Sequence, residues 1–187
     1  MKTVQHISVL SCILLLLVGC AGRPPAPYAL DYQAALLASE PQARHVDDDA
    51  LARFSAVYED LAGSHLAERV AAAYQQQLYF NDTLHTFTER DALSAYLEQT
   101  AARVDHIDLR IERIIQDDID SWVHWQMTTR ARALGKNMQA TTIGITHLRF
   151  DDNGKVILHQ DYWDSTEGLF SHIPFIGPLV NWSRRRL

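Results

Sequence analysis

From Asp47 to Ala102 apolar residues recur every three or four positions, and from Val104 to Ser165 roughly every second one. The first spacing is that of helices with one buried face, the second that of strands with one buried face. Asp47-Asp48-Asp49 opens a segment in which Leu51, Phe54, Val57, Tyr58 and Leu61 share a side, with Arg53, Glu59 and Asp60 opposite. Aspartate is a good N-cap, and carboxylates suit the positive end of a helix dipole. Gly63 predicts a stop and Ser64 the cap of a second helix over about 65–75, while Leu93, Tyr96 and Leu97 mark a third over 91–102. After these, Ile107, Leu109, Ile111 and Ile115 alternate with Asp108, Arg110 and Glu112 in a half-buried strand. Segments 122–133 and 139–150 are rich in aromatic and β-branched residues. A last strand over 155–165 follows Asp151-Asp152-Asn153-Gly154, a tight-turn sequence because Asn-Gly readily takes positive φ. Helices followed by a meander predict an α+β domain: three N-terminal helices packed on a strongly curved, cone-like antiparallel sheet. A cavity between the concave face and the helices is the natural consequence.

The start of the chain has a different pattern. Met1-Lys2-Thr3 precedes an almost wholly apolar run, Ile7 to Val18, which is shorter than the roughly 20 residues a membrane-spanning helix needs. It ends in Leu17-Val18-Gly19-Cys20, which resembles the bacterial lipoprotein signal, where the cysteine is acylated and becomes the mature N-terminus. Cys12 and Cys20 are the two cysteines, so a chain cleaved before Cys20 keeps one thiol and forms no intrachain disulfide. Lipidation accounts for that lone thiol. Ala21 follows, and by resemblance to sorted lipoproteins the expected address is the cell envelope, on the periplasmic face of an outer membrane. Arg23-Pro24-Pro25-Ala26-Pro27 cannot form a helix interior and predicts an extended spacer, with a short helix over 29–39. The expected organisation is a signal peptide over 1–19, a lipidated tether over 20–45, and a domain over 46–187 that includes the tail. A net charge of −6 provides no basic face for nucleic acid.

Three stretches carry a family resemblance: Tyr79 to Phe87, Ile145 to Val156, and Asp161-Tyr162-Trp163-Asp164. Over about 47–165 the chain resembles the nuclear transport factor 2-like superfamily. Within it the similarity is to the SnoaL-like branch, whose relatives include ketosteroid isomerases, limonene-epoxide hydrolases and polyketide cyclases. Strand parity puts Ile157, His159, Asp161 and Trp163 on one face of the last strand. The resemblance turns that face to the cavity, together with Thr146, Leu148 and Phe150 of the strand before. A pocket with apolar walls, one carboxylate and one imidazole suits proton transfer on a hydrophobic molecule. Asp161 is the leading acid/base candidate, because SnoaL-like cyclases use an acidic residue on a late strand; the alternative is an aspartate that only fixes the sheet. Trp125, with Val123 and Met127, is expected in the cavity wall, and Trp122 on the opposite face.

The resemblance also exposes departures. Thr146 stands where ketosteroid isomerases carry a protonated aspartate, and His85 and Thr86 stand near the turn where those enzymes carry their base. Steroid isomerisation by that constellation is not expected. Asp82 reads as a turn-fixing aspartate. His85 is either a base or a bridge from the turn to the core. Of the histidines near strands, His147 and His159 fall on opposite faces, and no metal-binding helix motif occurs, so no metal is expected. No nucleotide loop or redox motif appears, so no cofactor is expected either. The apolar tail from Gly168 to Leu187 reads as a plug for the open end of the cone or a homodimer contact. Its second reading is a membrane contact through Trp182 and Arg184-Arg185-Arg186. Three functions follow: a lipid-anchored module binding a small hydrophobic molecule, a cofactor-independent isomerase, cyclase or hydrolase using Asp161, and a non-catalytic interaction module with a filled interior.

Overall fold

The computed structural model describes residues 28–133, 136–172 and 176–186. The signal peptide, Cys20 and the proline-rich part of the tether lie outside them, as do residues 173–175 of the tail. The chain divides into two units, Met1–Ala34 and Ala35–Leu187. The described part of the first is helical, within α1 (Tyr28–Ser39). Residues 35–45, expected in the tether, belong with the second unit: the Arg149 guanidinium donates to the Leu36 carbonyl at 2.7 Å, and Arg44 bridges to Phe150.

The second unit continues with α2 (Asp48–Glu59), α3 (Leu66–Ala73), β1 (Tyr74–Asn81), β2 (Thr86–Glu89), α4 (Arg90–Arg103), β3 (His106–Asp117), β4 (Asp120–Ala133), β5 (Lys136–Phe150) and β6 (Val156–Trp163). Then come α5 (Ser165–Gly168), a 3-10 turn at Phe170–His172, and α6 (Ile176–Arg184). The helix signals hold: the Asp47 carboxylate accepts the Ala50 N–H at 3.0 Å and starts α2. At α3 the cap is His65, in the left-handed region at φ 62°, rather than Ser64. The turn before β6 forms as its sequence dictates. Asp151 Oδ1 accepts the N–H groups of Asn153 and Lys155 at 2.9 Å, and Gly154 takes φ 66°.

The six strands form one sheet in the order β2-β1-β6-β5-β4-β3. Four neighbouring pairs are antiparallel, but β1 runs parallel to β6, which the expected antiparallel meander did not include. Phe54 and Val57 of α2, Val70 of α3, and Leu93 and Leu97 of α4 pack with Phe80, Val123, Leu148, Phe150 and Val156 of the sheet in one core. Each such side chain contributes roughly 1.5–3 kcal/mol by leaving water. Residues of β3 to β6 enclose a cavity with residues of α2 and α4, so the sheet curls over the helices rather than lying flat.

Candidate functional site

The cavity has a volume of about 290 Å³. Most of its wall is aliphatic or aromatic, including Phe54, Phe80, Leu97, Ile107, Val123 and Met127. Its polar side chains are few: Tyr58, Asp82, Tyr96, Thr100, Thr129, Thr146, His159 and Asp161. An apolar hollow with a few convergent polar groups is the usual form of a small-molecule site.

Pairing between β5 and β6 sets Thr146 opposite Asp161. The Thr146 hydroxyl donates to Asp161 Oδ1 at 2.5 Å, and the same Thr146 oxygen accepts the Trp125 indole N–H at 2.9 Å. His159 Nε2 lies 2.9 Å from the same Oδ1. A carboxylate can only accept, so Nε2 carries a proton and, in a neutral ring, Nδ1 accepts. Nδ1 lies 2.8 Å from the Tyr74 hydroxyl, which lies 2.5 Å from that of Tyr58. With that ring neutral, the proton order along the chain is Tyr58 to Tyr74, Tyr74 to His159, and His159 to Asp161. His159 is only 1% exposed, boxed by the rings of Phe54, Tyr58, Tyr74 and Phe80, with the Phe80 centroid at 4.5 Å. Burial first, and then the Asp161 carboxylate, push the Tyr74 phenol well above its ordinary pKa, against the opposing pull of its hydrogen bond with Tyr58. The Tyr58 phenol is raised likewise, by burial first and then by its neighbours Tyr74 and Asp161.

A second polar group sits at the β1–β2 turn. Asp82 Oδ1 accepts the N–H groups of Leu84 and His85 at 2.9 and 2.7 Å, which is the turn-fixing geometry expected of it. Its Oδ2 accepts the Tyr96 hydroxyl, and its carbonyl accepts the Trp163 indole N–H at 2.8 Å. Asp82 therefore fixes the turn and lines the cavity at once. Burial, and then the Asp82 carboxylate, push the Tyr96 phenol upward.

Trp125, Thr146, His159, Asp161, Trp163 and Asp82 are thus gathered on one cavity. Two candidates are not. Leu148 is fully buried in the core beneath it, because parity fixes the face of a strand but not the depth along it. Exposed at the turn, His85 stacks its ring beside Phe87 outside the lining. Ile157, given to the same face, is the extra residue of a bulge between β5 and β6, where Leu158 pairs with Arg149 and Val156 with Phe150. Sequence reasoning missed Tyr58, Tyr74 and Tyr96. Tyr58 was legible as an apolar-face residue of α2, but nothing local signals that its hydroxyl meets that of Tyr74.

Gly144 shows why this wall closes so tightly. It pairs with Trp125 on one side and Trp163 on the other, and a Cβ there would lie 2.2 Å from Trp125 Cζ2. At the tail, Gly168 and Leu169 join the lining. Arg184 of α6 folds back to pair with Glu167. Trp182 stays half exposed, with the Arg186 guanidinium 4.7 Å from its ring centroid.

Comparison with known proteins accords with this geometry. The family model described as SnoaL-like domain matches residues 45–159. Among proteins of curated function, none matches the chain in sequence. Several solved structures share the fold. One named as a SnoaL-like polyketide cyclase, from Jannaschia sp. CCS1, superposes with a TM-score of 0.56 at 10% identity, over 66% of this chain and 93% of the other. An LEH-like epoxide hydrolase from M. tuberculosis gives 0.53 at 16%, over 65% and 86%. A protein of ketosteroid isomerase-like fold from Catenulispora acidiphila DSM 44928, in complex with trimethylamine, gives 0.54 at 14%, over 63% and 88%.

Proposed function

From the premise that the chain belongs to the SnoaL-like domain family, we propose that it binds a small, largely apolar molecule in the cavity bordered by Asp161. The observation that carries this reading is the hollow itself: about 290 Å³ of space between the sheet and the helices, walled mostly by apolar side chains. A filled interior, as an interaction module would have, is not what these side chains build. The Catenulispora acidiphila neighbour was solved with a small organic molecule, and that likeness lends support at the level of fold. The signal-like sequence ending in Cys20 supports a lipid-anchored protein of the cell envelope, holding its ligand close to a bilayer.

A second reading, a cofactor-independent acid/base enzyme, is favoured by one feature of Asp161. Both of its internal donors converge on Oδ1, and among the described residues Oδ2 accepts no hydrogen bond. That oxygen is available to take a proton from a bound molecule. The Asp161→Asn variant separates the two readings: a binding module loses no turnover, whereas an enzyme keeps affinity for its substrate and loses the reaction.

The test of the main reading uses N-phenyl-1-naphthylamine, a neutral apolar fluorophore that brightens on leaving water. Wild type should bind it saturably, and Ala140→Trp, which fills the cavity from β5, should lose at least ten-fold in affinity. Equal binding by the two proteins would place the probe elsewhere and remove the case for the cavity.

A further inference from the structure

The charge and hydrogen-bond polarity of the cavity wall point to a particular kind of ligand. Two carboxylates, Asp82 and Asp161, line it, and among the described residues of the lining there is no lysine or arginine. With its ring neutral, His159 adds no positive charge: Nε2 donates to Asp161 and Nδ1 accepts from Tyr74. The donors are spent in the same way. Thr146 gives its proton to Asp161, Trp125 to Thr146, Tyr96 to Asp82, Trp163 to the Asp82 carbonyl, and Thr100 to the Tyr96 carbonyl. With a neutral His159 ring, Tyr58 gives its proton inward to Tyr74. Apart from the Thr129 hydroxyl, the side chains of the wall therefore present acceptors and no free donor.

An anion would meet two like charges with nothing to pair it, and a carbonyl ligand would leave its oxygen without a donor, each costing roughly the desolvation of a buried polar group. A positive charge meets the opposite situation. It would find two carboxylates and a lining that includes the aromatic residues Phe54, Tyr58, Phe80, Tyr96, Trp125 and Trp163, whose ring faces attract cations. The aliphatic part of the wall, from Ile107 to Met138, supplies room for an apolar body. We propose that the ligand is a lipophilic organic cation, a protonated or quaternary amine on an apolar skeleton, held with its charge toward Asp161 and Asp82. This deepens the small-molecule reading and rests on it. Ionisation of both Tyr58 and Tyr96 is opposed by burial first, and then by the negative charge of Asp82 and Asp161 among their neighbours.

An isosteric pair tests it: phenyltrimethylammonium and tert-butylbenzene, which differ by nitrogen for carbon and one positive charge. Affinities for both are measured by NMR titration on the full domain, for wild type, Asp161→Asn and Asp82→Asn. Each asparagine keeps an Oδ1 that can accept the existing hydrogen bonds, and tert-butylbenzene affinity reports whether the cavity of each variant is intact. The inference expects the cation to bind wild type at least ten-fold tighter than its neutral twin. It also expects that preference to shrink several-fold in whichever variant retains tert-butylbenzene binding. Equal or weaker binding of the cation, with tert-butylbenzene bound normally, would overturn the inference and leave the cavity reading standing. Failure of both molecules to bind wild type would overturn both.

Discussion

Leu148 and Thr146 stand two residues apart on one face of β5, and they do different work. Thr146 relays a hydrogen bond from Trp125 to Asp161, while Leu148 is sealed among core side chains at 0% exposure. Truncation should separate them. Leu148→Ala should cost about 2–5 kcal/mol of unfolding free energy in urea, by lost burial plus the cavity left behind. The folded fraction should still bind the neutral fluorophore with wild-type affinity; a large loss of that affinity would return Leu148 to the site. The sequence could assign both residues to one face, because alternation is visible in a string of letters. Depth along a strand is set by which helix covers it, and that is a tertiary fact. The tyrosine chain was hidden for a related reason: Tyr58 and Tyr74 meet only after α3 has carried the chain back to the sheet.

At the scale of elements, the parts with strong periodicity were the legible ones. Strands β3 to β6 and helices α2 to α4 were expected close to where they form, and Asp47 capped as aspartate should. β1 was not read as a strand because Tyr74-Gln75-Gln76-Gln77 has no apolar alternation and follows α3 with no intervening turn. Its parallel pairing with β6 was equally illegible, since it joins segments far apart in sequence. The outer face of the sheet holds a further element-level device. The Arg149 guanidinium donates to Asp120 at 2.5 Å and also reaches the Leu36 carbonyl, tying the end of α1 to β4 and β5. His147 stacks on Trp122 with ring centroids 4.2 Å apart, and its Nε2 lies 2.8 Å from Asp120.

Burial, and to a lesser degree the positive charge of Arg149, hold the His147 pKa below its ordinary value despite Asp120. The folded protein then binds a proton less readily than the unfolded chain, so stability should fall as pH drops below about 6.5 toward the lowered folded value. Asp120 behaves differently. Its burial favours the neutral acid, but hydrogen bonds from Arg149 and His147 more than offset this, and its pKa is lowered. Its stabilisation should persist above about 3.9 and disappear as pH falls through its own lower value. Thermal unfolding followed from pH 7.5 to 5 should therefore show a decline in Tm that His147→Gln flattens. An unchanged slope in that variant would mean another group titrates.

The whole molecule joins a SnoaL-like domain to a proposed anchor. If Cys20 is acylated, several chains at roughly 0.8 kcal/mol per buried methylene would hold the protein on a membrane without a spanning helix. Cys20→Ala should then move the protein from the membrane pellet to the soluble fraction of cells, with the domain folded in both cases. Membrane association that survives the substitution would shift attention to the tail, where Trp182 and Arg186 are exposed. The fold class was readable from helical spacing followed by alternation, and the cavity's place followed once the strands curled. The hydrogen-bond polarity of the cavity wall was not legible, because it depends on where each hydroxyl and indole proton points.

Four tryptophans make the cavity directly observable. The indole N–H groups of Trp125 and Trp163 bond to Thr146 and to the Asp82 carbonyl in the cavity wall, whereas Trp122 lies on the outer face and Trp182 on α6. In a proton–nitrogen NMR titration with tert-butylbenzene and phenyltrimethylammonium, the Trp125 and Trp163 indole signals should move saturably while those of Trp122 and Trp182 stay in place. Movement confined to Trp122 or Trp182, or none at any indole, would contradict a ligand site between the sheet and the helices.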